Sequence, residues 1–268
     1  MSQSMGKAIA FHSHKGGTGK TLISANLAVI LAKSGNDVCI LDYDFRAPSQ
    51  YLLFKQHPSH WLDEFLLEKC SIEEAIVNLP NTSLGEGRIM AGFANPACDT
   101  MRLMMAMDDR WETKSLHGTL RAKEVLIRDM KVDYLIFDTA PGMQLLSANA
   151  LAVSDVNVVV TKTDEFDVEG TKELVKGLYK VLGRKISIIV NRVLEKKAYD
   201  ENLREELRME LEKKFAVPVL GVIPCYCDLQ MSGGTTVHAL TENLHPFVNV
   251  LQSISKELVH LCRDSAGN

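Results

Sequence analysis

Short, uninterrupted apolar runs recur along the chain: Ala8–Phe11, Val38–Leu41, Arg88–Ala91, Tyr134–Phe137, Val156–Val160, Ile186–Val190 and Val217–Val222. They are rich in β-branched residues and lack polar alternation, which predicts strands covered on both faces, as in a parallel sheet. Between them, apolar positions return every third or fourth residue. Leu22–Lys33 reads as a small, apolar helix stopped by Gly35. Ser71 predicts a cap for a helix over Ile72–Asn78, with Glu74 at capping-box spacing. Leu120–Met130, Val168–Leu182 and Glu201–Phe215 are amphipathic, and Pro246–Cys262 predicts a final helix. The rhythm predicts an α/β fold: a single doubly wound, mostly parallel sheet with helices on both faces, spanning residues 1–268 as one domain. Its site is expected at the carboxyl ends of the strands. Pro80–His117 is the least regular stretch, and no internal repeat, low-complexity segment or linker interrupts the pattern.

Composition narrows the class. At 268 residues the chain is long enough to bury a large core, and 46% apolar with 24% charged residues is ordinary for a globular protein. A net charge of −4 argues against dominant nonspecific binding to polyanions. No apolar run reaches membrane-spanning length, and Met1–Met5 lacks the features of a signal peptide. Six cysteines in a chain of this size read as reduced thiols, so the cytoplasm is the expected compartment.

The chemistry begins at Lys15-Gly16-Gly17-Thr18-Gly19-Lys20-Thr21, between the first strand and the first helix. Glycines let the backbone curl so that successive N–H groups face phosphate oxygens, and the helix offers its positive end to the same anion. Lys20 can reach the terminal phosphates, and the Thr21 hydroxyl suits Mg²⁺. Lys15 precedes the glycines and is poorly placed to fold back onto its own phosphates; a nucleotide held by a second subunit is the better target. The stretch resembles the deviant Walker A loop of the MinD/ParA/Mrp ATPases, within the signal recognition particle–MinD–BioD class of P-loop NTPases. The resemblance implies ATP and Mg²⁺ as cofactors, slow ATP hydrolysis, and a sandwich homodimer formed on ATP binding in which Lys15 reaches the partner's phosphates.

Two aspartates extend it. Asp138 ends a strand and precedes Thr139-Ala140-Pro141-Gly142, similar to the family's second switch. It is expected to hold Mg²⁺ through water, with Gly142 leaving a backbone N–H free for the γ-phosphate. Leu41-Asp42-Tyr43-Asp44-Phe45-Arg46-Ala47-Pro48-Ser49 resembles the first switch, which implies that Asp44 orients the attacking water. Lys15 and Lys20 then stabilise charge on the transferring phosphoryl group. Asp42 reads as supportive, and Arg46 as either a switch contact or a solvated side chain.

Two segments compete to read the base. Thr161-Lys162-Thr163-Asp164 fits a guanine-reading pattern but comes one strand too early. Asn191-Arg192, one strand later, matches the adenine-reading position of the MinD branch, and its amide can donate to and accept from adenine. Pro224 lies on the loop near the base. The expected nucleotide is ATP.

The resemblance reaches most of the chain, including Leu146–Asp155, similar to a turn in the family, and His245-Pro246, similar to the start of its last helix. The cluster cysteines of Mrp-type and nitrogenase iron proteins have no counterparts here. The implied function is a positioning or partition ATPase acting on an unidentified client protein. A metallocofactor-maturation or metal-insertion ATPase using Cys225 and Cys227, and a regulatory nucleotide-binding module with negligible turnover, are the alternatives. Lys172, Lys176 and Lys180 form a stripe that could touch nonspecific DNA, although interleaved glutamates favour a solvated face. The last helix lacks a basic amphipathic face, so no stable membrane attachment is expected. Met101, Met104, Met105 and Met107 read as core or as an adaptable docking surface.

Overall fold

The computed structural model describes residues 6–80, 87–106, 109–231, 234–241 and 245–263. The chain runs β1 (Lys7–His12), α1 (Lys20–Lys33), β2 (Val38–Tyr43), then three short helices, α2 (Gln50–Leu53), α3 (Leu62–Leu66) and α4 (Ile72–Ala75). It continues through β3 (Ile76–Asn78), β4 (Ile89–Gly92), α5 (Cys98–Met105), α6 (Asp109–Glu124, extended by a π-turn over Val125–Asp129), β5 (Tyr134–Thr139), α7 (Leu145–Val153) and β6 (Val156–Thr161). The last third holds α8 (Glu165–Leu182), β7 (Lys185–Val193), α9 (Glu201–Phe215), β8 (Val219–Pro224), α10 (Cys227–Met231) and α11 (Pro246–Arg263).

The strands form one sheet in the order β3-β4-β2-β5-β1-β6-β7-β8, parallel throughout except for β3 against β4. Alternate residues of each strand feed two cores. On β1, Ala8 and Ala10 face a core shared with α6, α7, α8 and α9, while Ile9 and Phe11 face α1 and α11. Both faces are therefore covered, which is why the strands read as unbroken apolar runs. The chain leaves β1 toward β2 on one side and returns to β6 on the other, so the loops after β1, β2, β5, β7 and β8 gather at one edge.

All seven apolar runs are strands, with small shifts at their ends. The helix predicted over Ile72–Asn78 stops at Ala75. Ser71 does cap it, accepting from the Glu74 N–H at 3.3 Å while its own N–H donates to Glu74 Oε2 at 2.7 Å. Ile76–Asn78 then pairs antiparallel with β4 as an edge strand, because sheet pairing outweighs the propensity of a one-turn helix. The stretch expected to be a turn over Leu146–Asp155 is mostly helix α7, and the irregular stretch Pro80–His117 contains β4, α5 and the start of α6. Met104 is core, packed with Trp111. Met1–Met5, Met107, Asp108 and Asp264–Asn268, with the side chains of Met101, Met105 and Lys180, lie outside the described residues. Among the described residues no helix is long and apolar enough to cross a membrane.

Candidate functional site

The glycines of the loop between β1 and α1 are used for backbone shape: φ is +75° at Gly17 and +90° at Gly19, values at which a Cβ is strained. A side chain at Gly19 would also collide with the Asn191 amide. The first turn of α1 has no acidic residue, so its positive end faces the loop undiminished.

Lys20 opens α1 and turns inward. It is 6% exposed, and its Nζ donates to Asp138 Oδ1 at 3.2 Å. Asp138, 1% exposed near the end of β5, also accepts from Gln50 Nε2 at 3.0 Å through its other oxygen. Asp42 is its register partner on β2. Burial, and then the neighbouring Asp138, push the Asp42 carboxyl up to about 8. Three N–H donors oppose that shift: Asp44 at 3.1 Å, Ser49 at 3.0 Å and Gln50 at 3.1 Å. Asp42 thus organises the loop that presents Asp44 and delivers Gln50 to Asp138. Asp44 is half-buried, and one of its oxygens accepts from the N–H groups of Arg46 at 3.2 Å and Ala47 at 3.0 Å.

A cleft of about 720 Å³ opens above these groups. The loop residues Gly16, Gly17, Thr18, Gly19, Lys20 and Thr21 line one end. Asp44 and Arg46 also line it, with Arg192, Pro224, Tyr226 and Phe247, and Asn191 lines it beside the loop, donating to the Thr18 carbonyl at 2.8 Å. The sequence-predicted residues are therefore largely brought together. Arg192 takes φ +57° at a register shift in β7, an uncommon conformation for a side-chain-bearing residue that turns it toward this cleft.

Three predicted residues stand apart from the cleft lining: Asp138, which is buried, Gly142 and Lys15. The Gly142 N–H is not free as expected: at φ +70° it donates to the Ser13 carbonyl at 2.9 Å, tying the second switch to the end of β1. Lys15 points away from its own loop. Its Nζ lies 3.6 Å from Asp167 Oδ1 and 5.3 Å from the Phe166 ring centre. The Thr161–Asp164 segment lies on this other flank, where Lys162 pairs with Asp164 at 3.2 Å and Asp167 at 2.8 Å. Its residues do not line the cleft.

Gln50 was not legible as a site residue. Gln50 is found only through its bond to Asp138. His12 is fully buried at the end of β1, and its Nδ1 bonds Thr139 Oγ1 at 2.7 Å. That hydroxyl donates to the Phe11 carbonyl at 2.9 Å, so it accepts from His12. Burial, with Lys20 and His14 nearby, lowers the His12 pKa to about 3.

The donor set suits a hard cation. Asp138 and the Thr21 hydroxyl supply oxygen ligands beneath the glycine-rich loop. Among the described residues no group of three or more His, Cys, Asp or Glu could hold a metal ion unaided. Mg²⁺ shared with nucleotide phosphates and water fits that pattern, since this ion keeps waters and seldom uses an all-protein cage. The same finding groups no third such ligand with Cys225 and Cys227 among the described residues.

A glycine-rich loop feeding a lysine–aspartate pair at the carboxyl edge of a doubly wound sheet is the architecture of the P-loop NTPases. A profile of the AAA domain family matches residues 6–191. An uncharacterized ATP-binding protein of Methanocaldococcus jannaschii is 33% identical over 223 residues, covering 82% of this chain and 75% of that protein. The septum site-determining protein MinD of Synechocystis is 29% identical over 228 residues, covering 82% and 76%. Among solved structures, MinD of Pyrococcus horikoshii complexed with Mg-ADP superposes with a TM-score of 0.74 at 21% identity, covering 98% of this chain and 100% of that one. The chain belongs to this AAA domain family and to the MinD/ParA family of P-loop ATPases.

Proposed function

We propose that this protein is an ATP-dependent dimerisation switch with slow, Mg²⁺-dependent ATP hydrolysis, acting as one P-loop ATPase domain over residues 1–268 and serving as a positioning or partition ATPase. The divergence of the two loop lysines carries the reading. Lys20 is buried against Asp138 beneath its own loop, whereas Lys15 is 46% exposed on the opposite flank. A lysine so turned out suits contact with a nucleotide bound by a second copy.

In this reading Gly16, Gly17, Thr18 and Gly19 cradle the phosphates, and Lys15 and Lys20 offset charge on the transferring phosphoryl group. Asp44 orients the attacking water, and Gly142 senses the terminal phosphate after exchanging its bond to Ser13. Thr21, and Asp138 through water, would hold Mg²⁺, which neutralises phosphate charge when bound. Asn191, Arg192 and Pro224 border the base. The Mg-ADP bound to the Pyrococcus relative supports an adenine nucleotide here. The client is a protein whose chemistry no motif marks. Nonspecific DNA has less support, because Lys172 and Lys176 are paired with Glu169 at 2.7 Å and Glu173 at 3.0 Å.

The test is the solution mass, by light scattering, of the Asp44→Ala variant with Mg²⁺ and ATP, ADP or GTP. The expected result is a dimer with ATP alone, lost on adding Lys15→Ala, and no phosphate release from Asp44→Ala. A monomer under ATP, or phosphate release at the wild-type rate, would overturn the reading.

A further inference from the structure

β8 ends at Pro224 and α10 begins at Cys227, so the chain passes from strand to helix within Cys225 and Tyr226. The bend brings two thiols together: the Cys225 and Cys227 side chains hydrogen-bond each other. Neither is in a disulfide. Residues one apart in sequence lie at most about 7 Å apart at Cα, and a bend shortens that toward the roughly 4.4–6.8 Å that a disulfide spans.

The two thiols differ in access. Cys227 is exposed, and Cys225 is half-buried. Burial, and then Cys227 beside it, push the Cys225 thiol above its ordinary value, with Arg192 nearby opposing them. An accessible thiol that attacks, beside a second that resolves, is what a redox-sensing pair requires. Cys39 in β2 and Cys262 in α11 are buried, and burial pushes both thiols up, as in inert structural cysteines.

The pair is mechanically tied to the cleft. Cys225 is anchored through both backbone groups: its N–H donates to the Val193 carbonyl at 2.9 Å, and its carbonyl accepts from Tyr199 Oη at 2.7 Å. Cys227 has the freer position, at the start of a five-residue helix. Between them, Tyr226 lines the cleft, and so does Leu229, two residues into α10 from Cys227. The Tyr226 ring meets Tyr199, His245 and Phe247 nearly edge-on, so its place in the wall depends on the backbone that carries it.

Resting on the nucleotide reading above, we propose that Cys225 and Cys227 are a redox site, closed to a disulfide by exchange with a low-molecular-weight disulfide, and that this bond weakens nucleotide binding in the cleft. The Cys227 thiolate attacks the small disulfide, forming a mixed disulfide and releasing one small thiolate. Cys225 then loses its proton and attacks Cys227 Sγ; the Cys225–Cys227 bond forms and the second small thiolate leaves. Two protein thiols are oxidised, one small disulfide is reduced, and the two protons leave with the small thiols. Because Cys225 is anchored, closure draws Cys227 inward and turns Tyr226 and Leu229 out of the wall that faces the nucleotide. An exposed disulfide of this kind is readily reduced, so the change is reversible.

The test treats the full chain with oxidised glutathione, alkylates the remaining thiols, and weighs the peptide that carries both cysteines. Calorimetric titration with Mg²⁺ and ATP follows, before and after treatment. The peptide is expected to escape alkylation and lose two hydrogens, and the oxidised protein to bind ATP about tenfold more weakly. Dithiothreitol should restore the affinity, and the Cys225→Ser/Cys227→Ser double variant should not respond to treatment. Alkylation of both thiols, or a stable glutathione adduct on Cys227, overturns the redox pair. A closed disulfide with unchanged ATP affinity, or an equal loss in the treated double variant, overturns its hold on the cleft. Reduced wild type that binds no ATP overturns the nucleotide reading and the control of binding with it, while the peptide mass still decides the thiol pair.

Discussion

His12 shows how a single buried side chain makes stability depend on pH. Its imidazole is kept neutral in the fold, with a pKa lowered to about 3, chiefly because burial penalises the charged form. The unfolded chain takes up a proton near the ordinary value of about 6.5. Between these values the unfolded state binds more protons, so this contribution to stability is fully present above about pH 6.5 and is lost as pH falls toward 3. Between pH 7.5 and pH 5 in urea unfolding, the wild type should lose about 2 kcal/mol relative to His12→Asn, whatever other groups contribute to both. An equal loss in both would assign the acid sensitivity to other groups. Asp42 shifts the opposite way, because burial beside the Asp138 carboxylate penalises its charged form.

At the scale of elements, close approach decides which small residues are required. Gly221 lies in β8 where α11 crosses, and a Cβ there would come within 2.5 Å of Ile254 Cγ1 and 2.8 Å of its Cδ1. Ile254 is 1% exposed and has no free space to retreat into. Gly221→Ala is expected to cost about 1–3 kcal/mol in denaturant unfolding, as overpacking does, with Ile254→Val recovering part of it. Additive losses in the double variant would contradict a direct clash. This contact matters to the site because β8 ends in Pro224 and α11 carries Phe247, both at the cleft. The edge strand β3 teaches the complementary lesson. Ile76-Val77 fits either a helix or a strand over so short a length, and only the open edge of β4 settles which forms.

At the scale of the whole molecule, the cleft gathers loops from both halves of the chain. Asp138 is reached by Lys20 and Gln50, and Thr18 by Asn191 from far along the sequence. A ligand that binds only when these segments are assembled stabilises all of them at once. Mg²⁺-ATP at about 100 times its dissociation constant should add about 2.7 kcal/mol, read as a rise of several degrees in melting temperature. GTP at the same concentration should raise it less. Equal shifts would mean that the cleft does not discriminate between bases.

What the sequence determined by itself was whatever depends on neighbours along the chain. Unbroken β-branched runs announced buried strands, the loop from Lys15 to Thr21 announced phosphate chemistry, and strand-end carboxylates at Asp44 and Asp138 announced where that chemistry would gather. These signals are local because strand burial, backbone curl and helix polarity are set within a few residues. The tertiary structure alone decided what depends on distant partners. It sent Ile76–Asn78 to the sheet edge, spent the Gly142 N–H on Ser13, turned Lys15 onto Asp167, buried Gln50 against Asp138 and committed Asn191 to the phosphate loop. Hydrogen bonds and ion pairs form where the folded chain places donors beside acceptors, and no spacing along the sequence encodes that meeting.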